Sequence, residues 1–136
     1  MSGFYGVKHG DFFWHELTTP DAGGGAAFYK RILGWDSVAQ PMDGFTYHFF
    51  QRAGERLGGI MAMEGDMWKG IAPHWMLYVA VDDIEASKAE VEAAGGKVHH
   101  GPFEAAGVGR MMVISDPQGA VLTLVQPADE MKAAAG

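Results

Sequence analysis

Two runs of this chain combine strand-like side-chain patterning with an acidic helix start immediately downstream. They are WHELT at residues 14–18 and WMLYVAV at residues 75–81. Strand side chains alternate, so the first run carries Trp14, Glu16 and Thr18 on one face and His15 and Leu17 on the other. Thr19-Pro20-Asp21 then reads as a cap with proline at the first helical position. The helix continues through AAFYKRIL, where Phe28, Ile32 and Trp35 fall on one stripe. Gly23-Gly24-Gly25 stands against that pattern, since each glycine costs about 1 kcal/mol relative to alanine inside a helix. A frayed first turn is expected, the alternative being close packing against the glycine backbone. After the second run, Asp82-Asp83-Ile84-Glu85 is a capping-box-like start. Ile84, Lys88 and Val91 share a face, and Ala94-Gly95-Gly96 supplies the stop.

Strand patterns follow each helix. The first is followed by a short edge near residues 36–40, then FTYHFFQR and RLGGIMAM, with Ala53-Gly54-Glu55 as turn. The second is followed by KVHH, RMMVISD and AVLTLVQP, with Pro117-Gln118-Gly119 as turn. Sliding the chain against itself by 61 residues superposes Trp14 on Trp75, Asp21 on Asp82 and Gly34 on Gly95. The expected fold is therefore α+β, with two βαβββ modules forming curved mixed sheets around a shared cleft, because a four-stranded sheet with one helix leaves its other face to be covered. Residues 1–136 form one domain on this reading, with module one at about 10–64, a linker at 65–73 and module two at about 74–127. The Ala-rich tail beyond Pro127 is expected to fray.

Composition narrows the function. The 136 residues suit a single domain. A formal charge of -7 with no basic cluster argues against nucleic acid. The absence of cysteine excludes disulfides and thiolate metal sites. No apolar run reaches the length of a signal peptide core or a membrane span, so a cytoplasmic protein without a membrane partner is expected. Twenty glycines point to tight turns, and nine methionines to adaptable core or pocket side chains.

The doubled unit, together with FYKRILGW after the first helix start and DPQG before the last strand, resembles the vicinal oxygen chelate superfamily. That group includes glyoxalase I, extradiol dioxygenases, acyl-CoA epimerases and the fosfomycin and bleomycin resistance proteins. In its metal-using members the resemblance implies four ligands, one near the start of each module's first strand and one near the middle of each module's last strand. Carried over, these places hold Trp14, Trp75, Gly58 or Gly59, and Thr123, none of them a strong ligand. No metal and no other cofactor is expected, and a homodimer is implied, compatible with exposure of Met76, Leu77 and Tyr78.

His15 and His74 each stand one residue from a ligand place and face away unless the register slips by one. The sequence also lacks the second histidine of HExxH, since Thr19 is there. Glu16 shares the Trp14 face, as an acceptor for a cationic or hydroxylated ligand or as a general base. Arg110 is a candidate partner for Glu16 or for a ligand carboxylate. Trp14, Tyr47, Phe49, Met61, Trp75, Leu77 and Met112 are candidates for one apolar hollow, with Thr123 beside them. His99-His100 reads as a turn or strand end. The expected function is metal-independent binding of a small apolar or flat molecule in an aromatic cleft. The alternative is a glyoxalase-, epimerase- or dioxygenase-like enzyme holding a metal through His15, Glu16, His48 or His74.

Overall fold

A computed structural model describes residues 7–42, 45–105 and 108–128. From residue 129 the tail expected to fray lies outside the described residues, as do residues 106–107 ahead of Arg110. The fold is mixed α+β and consists of two βαβββ modules. The first comprises β1 (Phe12–Thr19), α1 (Ala22–Leu33), β2 (Asp36–Met42), β3 (Phe45–Arg52) and β4 (Glu55–Ala62). The second comprises β5 (His74–Ala80), α2 (Ile84–Ala93), β6 (Lys97–Ala105), β7 (Gly109–Ser115) and β8 (Val121–Pro127). Between them lies a single 3-10 turn, Asp66–Trp68. The chain divides into two compact units, Trp14–Met76 and the combination of Met1–Phe13 with Leu77–Gly136, so the division runs through β1 and β5.

The two units repeat one strand plan. In the first, β2, β3 and β4 are antiparallel neighbours and β1 pairs in parallel with β4. In the second, β6, β7 and β8 are antiparallel and β5 pairs in parallel with β8. Each sheet buries one face under its helix. Leu17, Phe50 and Ile60 pack with Ala22, Ala26 and Tyr29 in the first unit, and Val79, Val81, Ile84, Met112 and Leu124 form the core of the second.

The glycine run belongs to the helix. Asp21 is the N-cap of α1, and its carboxylate accepts from the Gly24 N–H at 2.9 Å. A Cβ on Gly24 would collide with that carboxylate, and one on Gly25 would stand 2.9 Å from Leu17 Cδ2. Close approach of the cap and β1, rather than fraying, accounts for these two positions. The same crowding turns the helix away from the expected stripe. The small face of Ala22 and Ala26, with Tyr29, meets the sheet, while Phe28 and Ile32 are more than half exposed and Trp35 lies beyond the helix end.

The internal repeat is offset by one residue from the expected value. The N-cap of α2 is Asp83, whose side chain accepts from the Glu85 and Ala86 N–H groups at 3.1 and 3.2 Å. Asp21 therefore matches Asp83, and the first strands and N-caps of the two modules superpose at a shift of 62. Gly34 and Gly95 keep the shift of 61 because the second helix reaches its left-handed glycine one residue sooner. On this register Trp14 corresponds to Met76 and Glu16 to Tyr78.

Candidate functional site

The face of the first sheet opposite α1 carries the most polar buried constellation among the described residues. Glu16 is only 5% exposed, beside Gly59 on β4, which in turn lies beside Phe49 on β3. Tyr47 donates its hydroxyl to Glu16 Oε2, and the Trp14 indole N–H points at the same phenolic oxygen at 3.3 Å. Gly59 is bare for a reason: a Cβ there would collide with the Tyr47 hydroxyl. Phe49 meets Tyr47 and Trp14 edge to face, with ring centroids 4.9 and 6.2 Å apart. Arg56 lies over the Phe49 ring at 4.0 Å and donates to Gln40 at 2.8 Å.

Burial, then the field of the Glu16 carboxylate and the hydrogen bond to it, push the Tyr47 phenol well above its ordinary value, against a smaller lowering by Trp14. Tyr47 is thus a fixed proton donor across the physiological range. What it serves is the Glu16 carboxyl group, walled by an indole and a phenyl ring, with a guanidinium stacked on the phenyl ring.

The helix-packed face of the same sheet carries other chemistry. β3 and β4 shift register after Phe50, leaving Leu57 as an extra residue between the pairs Phe50–Gly58 and Gln51–Arg56. His15 Nδ1 lies 2.9 Å from the Leu57 carbonyl. Trp75 donates its indole N–H to the Tyr29 hydroxyl at 3.1 Å and meets Trp35 and Phe50. Trp14 and Trp75 therefore belong to different aromatic groups, Trp14 with Phe49 and Trp75 with Phe50, instead of the one expected hollow. The one-residue offset of the repeat is the cause, since it exchanges the faces of a strand.

In the second unit Met112 is wholly buried in the apolar core beneath α2, with Leu124 beside it. Leu77 is 40% exposed. Arg110 pairs with Glu85 of α2 at 2.7 Å and with Glu104 at 3.4 Å. Thr123 is buried beside Tyr78. Met61 is exposed in the first unit. The structure thus brings Trp14, Glu16, Tyr47 and Phe49 together, and distributes Leu77, Arg110, Met112 and Thr123 through the other unit. His99, expected at a turn or strand end, lies within β6, where its Nε2 is 2.8 Å from Ser115 Oγ.

Arg56, Gly58 and the helix-side group of His15, Trp35, Phe50 and Leu57 were not expected as a set. The signals for them were the adjacent Phe49-Phe50 and Gly58-Gly59 doublets, each of which places one residue on either face of a strand.

With the corrected offset, the four places at which the superfamily resemblance implies metal ligands are Trp14, Met76, Gly59 and Thr123. An indole N–H is a donor only, a thioether and a hydroxyl are weak acceptors, and glycine offers no side chain. This set does not fit a divalent ion. Among the described residues no three His, Asp or Glu side chains gather as a metal-binding group.

Comparison with known proteins places the fold. A family model described as Glyoxalase/Bleomycin resistance protein/Dioxygenase superfamily matches residues 12–124. The chain belongs to this superfamily. A relative from Mycobacterium tuberculosis named "Putative glyoxylase CFP32" is 37% identical over 122 residues, covering 89% of this chain and 46% of the relative. The "Anthracycline biosynthesis protein DnrV" of Streptomyces peucetius is 32% identical over 124 residues, covering 82% of this chain and 45% of the relative. The chain thus spans about half the length of these curated relatives. Among solved structures, methylmalonyl-CoA epimerase from Mycobacterium tuberculosis superposes with a TM-score of 0.59 at 19% identity, covering 98% of this chain and 97% of that one. At that identity the likeness is one of fold alone. No helix among the described residues is long and apolar enough to cross a membrane.

Proposed function

We propose that this member of the glyoxalase superfamily binds a small, flat, largely apolar molecule without a metal ion, on the face of the first sheet that carries Trp14, Glu16, Tyr47 and Phe49. The buried Glu16–Tyr47 pair is the observation that carries this reading. A carboxylate 5% exposed and held by a phenol is costly to bury on an otherwise aromatic surface. Such a group is characteristic of a site that fixes the orientation of a ligand by one or two polar contacts. The same reading includes self-association. Phe28, Ile32 and Leu33 of α1 are 55, 53 and 49% exposed, and curated relatives have length for a second domain of this size.

Calorimetry with a library of planar neutral and cationic compounds tests the proposal. A hit whose affinity falls about tenfold in Phe49→Ala is expected, given the contribution of aromatic contacts. Silence across the library overturns it, as does a stoichiometric divalent metal that survives dialysis and is lost in His15→Ala or His74→Ala. A sedimentation experiment showing only monomer removes the dimer.

A second reading is favoured by the same pair. A desolvated carboxylate beside a fixed proton donor suits general base chemistry, in which Glu16 takes a proton from a carbon next to a carbonyl and later returns it. Incubation of a bound ligand in deuterium oxide separates the two readings. Deuterium incorporation at that carbon, abolished in Glu16→Gln, makes the chain an enzyme, and its absence leaves the binding role.

A further inference from the structure

We infer that the first unit holds a second ligand site, on the helix-packed face of its sheet, for a neutral planar aromatic molecule bearing one N–H or O–H donor. A cavity of about 330 Å³ is lined there by His15, Trp35, Phe50, Leu57, Gly58 and Trp75. That volume lies at the small end of the range for ligand pockets. It shares no side chain with the Trp14–Glu16–Tyr47–Phe49 group.

The aromatic walls form a corner. The Trp35 and Trp75 planes stand at 85° with centroids 6.3 Å apart, and Phe50 lies 5.2 Å from Trp35 and 6.0 Å from Trp75. A flat molecule in such a corner stacks on one ring and offers its edge to another, the two arrangements that ring quadrupoles favour.

The polar element is His15. A carbonyl oxygen can only accept, so the 2.9 Å contact with Leu57 assigns the proton to Nδ1. In the neutral ring Nε2 is then an acceptor, and a complementary ligand must bring a donor. The Trp75 N–H is already given to Tyr29. No Asp, Glu, Lys or Arg lines the cavity, which suits a neutral ligand.

Two backbone features hold this geometry. The register shift at Leu57 takes its carbonyl out of the regular strand pairing and leaves it available to His15. A Cβ on Gly58 would stand 2.7 Å from the His15 carbonyl oxygen, so glycine permits the close approach of β4 to β1 beneath the ring.

The test uses nitrogen-labelled full-length protein titrated with indole and with N-methylindole, which has the same shape without the donor. The four tryptophan indole signals are assigned by single Trp→Phe variants. Indole is expected to shift the Trp35 and Trp75 signals and leave Trp68 in place, any shift of Trp14 reporting the opposite face separately. It is expected to bind about fivefold more tightly than N-methylindole, the worth of one modest hydrogen bond. That preference disappears in His15→Ala, whose side chain is exposed, and persists in Glu16→Gln, which disables only the site on the opposite face. No shift at Trp35 and Trp75 with millimolar indole overturns the inference. So does an equal affinity for the two probes, or a response confined to Trp14.

Discussion

The two modules place matched residues in matched rows and fill them differently. Across the parallel and antiparallel pairs, Glu16, Gly59 and Phe49 stand side by side in the first sheet. The corresponding row in the second is Tyr78, Thr123 and Val113. The first row holds a carboxylate, an empty position and a phenyl ring, and the empty position admits the Tyr47 hydroxyl to the carboxylate. The second holds a phenol, a hydroxyl and an isopropyl group. One backbone plan thus yields a row built around a buried carboxylate in one half and a row with a buried phenol and a buried hydroxyl in the other, while Met112 and Leu124 on the reverse side belong to the helix-covered core. A repeat conserves positions more strictly than it conserves roles, and a single side chain omitted at Gly59 is enough to separate the roles.

The contrast can be broken from either side. The largest effect is expected in the second unit. Met112→Ala removes a wholly buried side chain and should cost about 3 kcal/mol in urea unfolding while leaving any ligand of the first unit bound with unchanged affinity. A loss of binding there would mean that Met112 serves the ligand as well as the core. Next comes Gly59→Ala, which drives the Tyr47 ring from its place. A cost of about 2 kcal/mol is expected, against a smaller one for Thr123→Ala at the matched position. Equal costs in a paired unfolding experiment would erase the distinction between the rows.

Tyr47→Phe leaves the Glu16 carboxylate without its phenolic donor, for about 1.5 kcal/mol near neutral pH. The pH dependence has a definite sign. The folded chain holds the phenolic proton above the ordinary value of 10.0, whereas the unfolded chain releases it there. This stabilisation is fully present below pH 10.0 and is lost as pH rises through the folded value. Urea midpoints of the wild type should therefore fall more steeply than those of Tyr47→Phe between about pH 9 and 11. Parallel slopes would place Tyr47 in water. The smallest effect contrasts neighbours in one helix. Gly23→Ala meets only an atom 3.9 Å away and should stabilise by about 0.5–1 kcal/mol. Gly25→Ala, which must displace Leu17, should lower the melting temperature.

Much of this organisation was legible along the chain. The strand–helix–three-strand order, the turn at Ala53-Gly54 and the shared face of Trp14 and Glu16 all follow from local pattern, because Glu16 and Leu17 differ sharply in polarity and mark the two sides of β1. The same cue is missing from WMLYVAV, which buries Tyr78 and Val79 on opposite sides with no polar residue to tell them apart. The aspartate doublet then offers two caps, and which one is used depends on the Ile84 N–H meeting Gln126 from β8, a contact 42 residues away. A one-residue ambiguity at the cap thus became an inversion of Trp75, Leu77, Arg110 and Met112. The register shift at Leu57 was hidden for a related reason, because an inserted residue in a strand looks like any other until its partner strand is known.

The glycine doublet of β4 also matters to anyone who would re-engineer the protein. Positions 58 and 59 are stoppers of two kinds on one ribbon of backbone, the first set against the backbone of β1 and the second against a side chain. Filling the second displaces one side chain and closes the carboxylate face, whereas filling the first pushes on the β1 backbone that both faces share. Only the carboxylate side can therefore be silenced by a single methyl group while the histidine side is left to report whether the strand between them is intact.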